Sequence, residues 1–229
     1  MIITFLSDTH NKHVKTTLDL PGGDLLIHSG DISSMGYDHE IKNFCNWFDR
    51  VSDYSHRIFI AGNHDFGFQN DPEKCKEVIE SYKWINYLQD SYILLGDDSE
   101  KMVKVWGSPW QPEFYNWAFN LKRMGKELEE KWNEIPEDVD ILITHGPAFG
   151  YVDVVEGRDQ NLGCELLAKR IKEIKPKIHV CGHIHSARGY TFDGDTHYIN
   201  ASVLDERYNY SYKPITIDWN RETNEIVFL

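Results

Sequence analysis

Five short blocks of metal-seeking side chains punctuate the chain in order: Asp8-Thr9-His10, Gly30-Asp31, Gly62-Asn63-His64-Asp65, Thr144-His145-Gly146 and Gly182-His183-Ile184-His185. Asp8 and His10 stand one residue apart, so an extended segment would turn both to one side and let them hold one ion. Asp31 follows a glycine, whose conformational freedom permits the tight turn that would present a carboxylate able to bridge two cations. Asn63 offers a neutral carbonyl oxygen, and His145, His183 and His185 offer imidazoles. Asp8, His10, Asp31, Asn63, His145, His183 and His185 are too many for one tetrahedral ion and suit two ions sharing a bridge. The set is oxygen plus nitrogen without thiolate. It therefore fits Mn, Fe, Zn, Co or Ni better than Cu(I), and it is richer in imidazole than a dedicated Mg or Ca site.

Something must hold these blocks together, and each follows a short apolar run that reads as a buried strand: Ile2 to Leu6, Leu25 to His28, Arg57 to Ala61, Ile141 to Ile143, and Ile178 to Cys181. The ligands would hang from loops at the carboxyl edge of a sheet, where α/β folds place their clefts. Between the strands, Tyr37 to Val51 sets Ile41, Phe44, Cys45, Phe48 and Val51 on one helical face. Asp71-Pro72-Glu73 offers an N-cap, a first-turn proline and a favourable acid for a second helix, with Cys75, Val78, Ile79 and Tyr82 facing inward. These βαβ-like units imply largely parallel pairing. Further on, Ile93 to Leu95 and Val103 to Trp106 flank Gly96-Asp97-Asp98-Ser99 as two strands around a turn, and helices are expected over Leu121 to Trp132 and Leu162 to Ile174. Runs around Tyr198-Ile199, Ile215 to Ile217 and Ile226 to Phe228 suggest an antiparallel second sheet. No repeat or linker divides the chain, so residues 1–229 are expected to form one domain.

Composition narrows the partners. With 229 residues, 41% of them hydrophobic, the chain is long enough for a full core. No stretch reaches the roughly 20 apolar residues of a membrane helix, and the amino terminus lacks a signal-peptide pattern, so a cytoplasmic location without membrane attachment is expected. Cys45, Cys75, Cys164 and Cys181 lack zinc-finger or C-x-x-C spacing and read as reduced packing residues. A net charge of −13 argues against long nucleic acid as substrate, whereas a small phosphoester would meet the local positive charge of bound metal. The oligomeric state is not legible. His13, His28, His39, His56, His179 and His197 lie outside the five blocks and read as surface or core residues.

The pattern D-x-H, G-D, G-N-H-[DE], H, G-H-x-H, spread from Asp8 to His185, resembles that of the calcineurin-like metallophosphoesterases. Stretches such as Trp106 to Pro112, Ile141 to Pro147 and Tyr198 to Ser202 are similar to the metallophosphoesterase-domain-containing, or fetal-brain 239, branch. The resemblance implies a four-layer αββα sandwich of two mixed sheets flanked by helices, the metallo-dependent phosphatase fold, with two divalent transition-metal ions, manganese favoured. It assigns Asp8, His10, Asp31 and His185 to one ion and Asp31, Asn63, His145 and His183 to the other. Some mammalian relatives of this branch carry glycine where His183 stands. Retention of the histidine here implies a fully equipped centre.

Two such ions, roughly 3.5–4 Å apart, would lower the pKa of a bridging water to give hydroxide and would clamp phosphate oxygens. His64 is the candidate proton donor to the leaving oxygen, with Asp65 expected to orient its ring and keep it protonated. The expected activity is hydrolysis of small nucleotide-like or cyclic-nucleotide diesters. A phosphomonoesterase or protein phosphatase would use the same metals, and a non-catalytic scaffold, like the retromer subunit of this fold, is the distant alternative. Trp106, Trp110, Phe114, Tyr115, Trp117 and Phe119 form either a stacking platform for a base or a satellite core. No substrate-binding residue is singled out, Arg158, Arg188 and Arg207 included.

Overall fold

A computed structural model describes residues 1–51, 53–96, 102–155, 157–158 and 160–229. The expected turn residues Asp97, Asp98 and Ser99 lie outside them. The first half alternates as the apolar runs require: β1 (Ile2–Leu6), β2 (Gly23–His28), α1 (Asp38–Arg50), β3 (Tyr54–Phe59), α2 (Phe66–Asn70), α3 (Pro72–Glu80) and β4 (Ile85–Tyr87). Then come β5 (Ser91–Leu95), β6 (Val103–Ser108), β7 (Gln111–Pro112), β8 (Asn120–Leu121), α4 (Lys126–Asn133), β9 (Ile141–Thr144), α5 (Glu165–Ile174) and β10 (Ile178–Cys181). The chain ends with β11 (Gly189–Phe192), β12 (His197–Asn200), β13 (Ile215–Trp219) and β14 (Ile226–Phe228).

Local chemistry sets several boundaries. Glu40 reaches back to accept from the Tyr37 amide at 2.9 Å and opens α1, while Asp71 caps α3 ahead of Pro72. The helix expected from Leu121 begins only at Lys126, since Asn120–Leu121 pairs with Gln111–Pro112 instead.

Two six-stranded sheets result, ordered β14-β13-β1-β2-β3-β4 and β11-β12-β10-β9-β6-β5. In each, four consecutive strands are parallel and the added edge strands are antiparallel. The three C-terminal runs do not build a separate antiparallel sheet. Tyr198 and Ile199 lie in β12, fully buried and parallel to β10 within the second sheet, whereas β13 and β14 extend the first sheet beyond β1. Burial on both faces is what places β12 inside a parallel block.

Three apolar clusters define four layers. Ile3, Phe5, Ile27 and Ile58 from the first sheet meet Val105, Ile141, Val180 and Ile199 from the second in the central cluster. Leu26 and Phe59 pack outward against Phe44, Phe48 and Cys75 of α1 and α3, and Leu142 and Tyr198 pack outward against Leu128, Trp132, Leu167 and Ile171 of α4 and α5. The architecture is therefore helix, sheet, sheet, helix, as expected. The carboxyl ends of β1, β2, β3, β9 and β10 each run into one of the five blocks. Among the described residues, no helix is long and apolar enough to cross a membrane.

Candidate metal centre

The five loops converge. Asp31 Oδ2 lies 3.5 Å from His10 Nε2 and 3.4 Å from His145 Nε2, so a single buried oxygen stands between two imidazoles from opposite sheets. Asp8 Oδ1 lies 3.4 Å from His185 Nε2, and the ligand atoms of Asp8, His10 and His185 fall within 4.8 Å of one another. On the other side, Asn63 Oδ1 lies 3.0 Å from His145 Nε2 and 2.7 Å from His183 Nδ1. Ligands about 2.1 Å from a shared ion stand roughly 3.0–3.4 Å apart in octahedral or tetrahedral geometry, which matches these separations.

Hydrogen bonding fixes which nitrogen faces inward. The Nδ1 atoms of His10, His145 and His185 lie 3.2, 3.0 and 2.9 Å from the backbone carbonyls of Ser33, Ser29 and Asp205. A carbonyl only accepts, so each Nδ1 carries the proton and each Nε2 presents a lone pair. Those lone pairs face carboxylate and amide oxygens, which are acceptors too. His10 Nε2 is buried with no hydrogen-bond partner among the described residues. Acceptors gathered on acceptors require a cation, or protons in its place. Burial opposes charging His145 and His185, yet Asp31 and Asp8 respectively lift both to about 9. Burial dominates at His10 and His183, which fall to about 4 and about 3 and remain neutral. Asp31 and Asp8 stay well below the carboxylate range because the surrounding histidines outweigh the burial that would raise them. The donor set thus fits two hard-to-borderline divalent cations.

The loops that carry these groups are curled rather than extended. Asp8, His10 and Asp31 have φ of 55°, 39° and 55°, and His183 has 67°. The extended Asp8-x-His10 pairing expected from spacing is therefore replaced by left-handed backbone, which brings both side chains inward by curvature. Such conformations are costly for non-glycine residues and persist where the surroundings enforce them. The neighbouring glycines show how tight the packing is. A Cβ at Gly182 would lie 2.1 Å from Asp8 Oδ2, and one at Gly62 would lie 2.3 Å from Asp31 Oδ1.

The expected contact between Asp65 and His64 is not made. Asp65 turns the other way and accepts from Gly62 N at 2.8 Å, Ile32 N at 3.1 Å, Ser33 N at 3.0 Å and Ser33 Oγ at 2.5 Å. It staples the Asp31 loop to the Asn63 loop, and burial together with Asp31 raises its pKa to about 7. His64 is oriented by the Ser34 carbonyl, 2.9 Å from its Nδ1, and by the Trp117 ring stacked at 4.0 Å. One ring nitrogen of His64 lies within 4.8 Å of the ligand atoms of His10 and Asp31.

The aromatic segment divides between its two readings. Trp106 and Phe119 are core. Phe114 meets His183 edge-on at 5.4 Å and Trp117 backs His64, so both border the centre. Beside it opens a cavity of about 400 Å³ walled by Phe114, Pro147, His183, His185 and Tyr208, with Glu113, Glu206 and Arg123 among its polar lining.

Sequence reasoning missed the residues that brace the candidate ligands. Ser202 Oγ donates to Asp8 Oδ2 at 2.7 Å, and Asn200 Nδ2 donates to Gly182 O at 3.3 Å and Ile184 O at 2.9 Å. Both lie in the Tyr198 to Ser202 stretch, where polar side chains at and just beyond the end of a buried strand are the available signal.

Residues 1–187 match the calcineurin-like phosphoesterase family, and the chain belongs to that family of dimetal-dependent phosphoester hydrolases. It is 42% identical over 230 residues to human metallophosphoesterase domain-containing protein 1, covering 93% of this chain and 69% of that protein. A UPF0046 protein of Caenorhabditis elegans is 34% identical, with 93% of this chain and 79% of the relative aligned. The solved structure of TT1561 from Thermus thermophilus superposes with a TM-score of 0.65 at 13% identity, covering 100% of this chain and 97% of that one, a likeness of fold.

Proposed function

We propose that residues 1–229 act as one domain, a manganese-favouring phosphodiesterase for small, nucleotide-like diesters. In this reading Asp8, His10, Asp31 and His185 hold one ion, and Asp31, Asn63, His145 and His183 hold the other. The observation that carries it is the position of Asp31 Oδ2 between His10 Nε2 and His145 Nε2, at 3.5 and 3.4 Å. The ions, when bound, supply charge neutralisation and an activated water. Everything else falls to side chains of the chain.

His64 donates the proton that the leaving oxygen needs. Its Nδ1–H is held on the Ser34 carbonyl, so Nε2 is the atom that exchanges the proton, and Trp117 keeps the ring in plane. Preference for a diester rests on charge. The cavity carries the carboxylates Glu113 and Glu206, and its one arginine, Arg123, is already paired to Glu165 at 2.9 Å. A singly charged diester meets less repulsion there than a doubly charged monoester, and the apolar walls at Phe114, Pro147 and Tyr208 accept its second organic arm.

The test is hydrolysis by Mn-loaded protein of bis-p-nitrophenyl phosphate, p-nitrophenyl phosphate and a dialkyl phosphodiester, which can expel only an alkoxide. The diester is expected to turn over faster than the monoester, and the reverse order would overturn the substrate assignment. His64→Ala is expected to lose about 10²- to 10⁴-fold on the poor leaving group and much less on nitrophenolate. Equal losses on both would remove His64 from the proton-donor role.

A further inference from the structure

Tyr208 belongs to none of the five blocks, yet its ring stands over the centre. Its centroid lies 4.9 Å from that of His10, 5.2 Å from His185 and 6.5 Å from His64, and it lines the cavity beside His183 and His185. The backbone holds it there at φ 60°, a left-handed conformation rarely adopted by a bulky aromatic residue. Burial does not explain that strain, because the residue is 42% exposed.

The turn that imposes it is built around Asp205. Asp205 Oδ1 accepts from Arg207 N at 2.9 Å and Asn209 N at 2.8 Å, while its backbone carbonyl accepts from Tyr208 N at 2.9 Å. That same carbonyl accepts from His185 Nδ1, and Lys12, two residues after His10, donates its ammonium to the Tyr208 carbonyl. One tight turn thus aims a candidate ligand and presents an aromatic side chain to the same space. The Tyr208 hydroxyl makes no hydrogen bond among the described residues.

We propose that Tyr208 contacts the substrate, its neutral hydroxyl donating to a non-bridging phosphoryl oxygen while its ring walls the cavity. A phenol suits this place. Its hydroxyl is a hydrogen-bond donor that is ordinarily protonated at neutral pH. Unlike lysine or arginine, it offers a donor without adding a cation that would compete with metal for Asp8 and Asp31. The strained backbone is the signature expected of a residue retained for contact rather than for packing.

The proposal rests on the dimetal phosphoesterase reading, and its test separates the two. Tyr208→Phe and Tyr208→Gly are compared with wild type as Mn-loaded full chains by kcat and KM on bis-p-nitrophenyl phosphate, melting temperature, Mn content and calorimetric affinity for inorganic phosphate. Tyr208→Phe is expected to keep Mn content and melting temperature while losing about 10- to 100-fold in kcat/KM, the worth of a hydrogen bond to a charged group. Tyr208→Gly relieves the left-handed backbone, so its melting temperature is expected to hold or rise while kcat/KM falls at least as far. Unchanged kcat/KM and phosphate affinity in Tyr208→Phe would overturn the contact. So would a fall in melting temperature that tracks activity in Tyr208→Gly, which marks a structural residue. If the wild type itself turns over no phosphoester, the broader reading fails, and phosphate affinity alone decides for or against Tyr208.

Discussion

The two halves of the centre share Asp31 but are held in different ways. Around Asp8, every group is braced: Ser202 Oγ and the His183 amide hold the carboxylate at 2.7 and 3.0 Å, and backbone carbonyls fix both His10 and His185. Around Asn63, among the described residues only His145 has a carbonyl on its outer nitrogen, and His183 reaches inward with Nδ1 rather than Nε2. Charge differs as well. The Asp8 half has a carboxylate of its own beside the shared Asp31, whereas the Asn63 half has a neutral amide. More negative charge and locked tautomers make a tighter cation site. If the candidate ligands hold two ions, the contrast predicts sequential loading, with the Asp8 half filling first and the Asn63 half exchanging more readily.

The largest effect should come from breaking what the halves share. Asp31→Asn removes the carboxylate that lies within reach of both His10 and His145, and the protein is expected to lose about 10³-fold in turnover together with both Mn equivalents. Atomic absorption on the desalted protein, beside the diesterase assay, checks it; retention of one tight equivalent would show that the halves are independent. Next in size is the asymmetry itself. His185→Ala should cost more turnover than His183→Ala, and His183→Ala should keep one Mn equivalent bound with affinity within about threefold of the first wild-type site. Calorimetric titration of Mn into each variant, beside the same assay, reads both numbers. A larger loss from His183→Ala would reverse the order of loading.

This asymmetry is only partly legible in the sequence. The seven candidate ligands stand out because each follows an apolar run, and β1 and β10 begin and end where those runs do. What spacing cannot convey is direction. Asp65 adjoins His64 in sequence yet points into the Asp31 loop, and the segment around Asp8 and His10 reads as extended although its backbone is left-handed. The bracing groups are harder still, since Ser29, Ser33, Ser34 and Asp205 act through backbone carbonyls that any residue would supply. The C-terminal strands are visible as strands but not in their pairing, because partners such as Ile3 and Ile217 are brought together only by the completed fold.

One respect in which the halves match gives the smallest and most general prediction. Under the Asp8 loop, His28 Nε2 lies 2.9 Å from Thr9 Oγ1; under the His145 loop, His179 Nε2 lies 2.8 Å from Thr144 Oγ1. Both imidazoles are fully buried, both have an Nδ1 without a partner among the described residues, and burial lowers both to about 3. The unfolded chain titrates them near 6.5, so it binds more protons than the native state between those values. Their contribution to stability is therefore complete above pH 6.5 and is lost as pH falls toward 3, by about 1.4 kcal/mol per pH unit for each group. Asp8 and Asp31 cannot cause a loss that begins so high, because they act below their unfolded value of 3.8, and Asp65, raised to about 7, gains stability as pH falls and so opposes the loss. Urea denaturation of metal-free protein between about pH 7 and pH 4.5 should show this slope, to which the lowered His10, His13 and His183 add and the raised Asp65 is opposed, and His28→Gln or His179→Gln should each remove an equal share of it. If only His28→Gln flattens it, the two loops are not equivalently supported, and the difference between the halves reaches down into the strands beneath them.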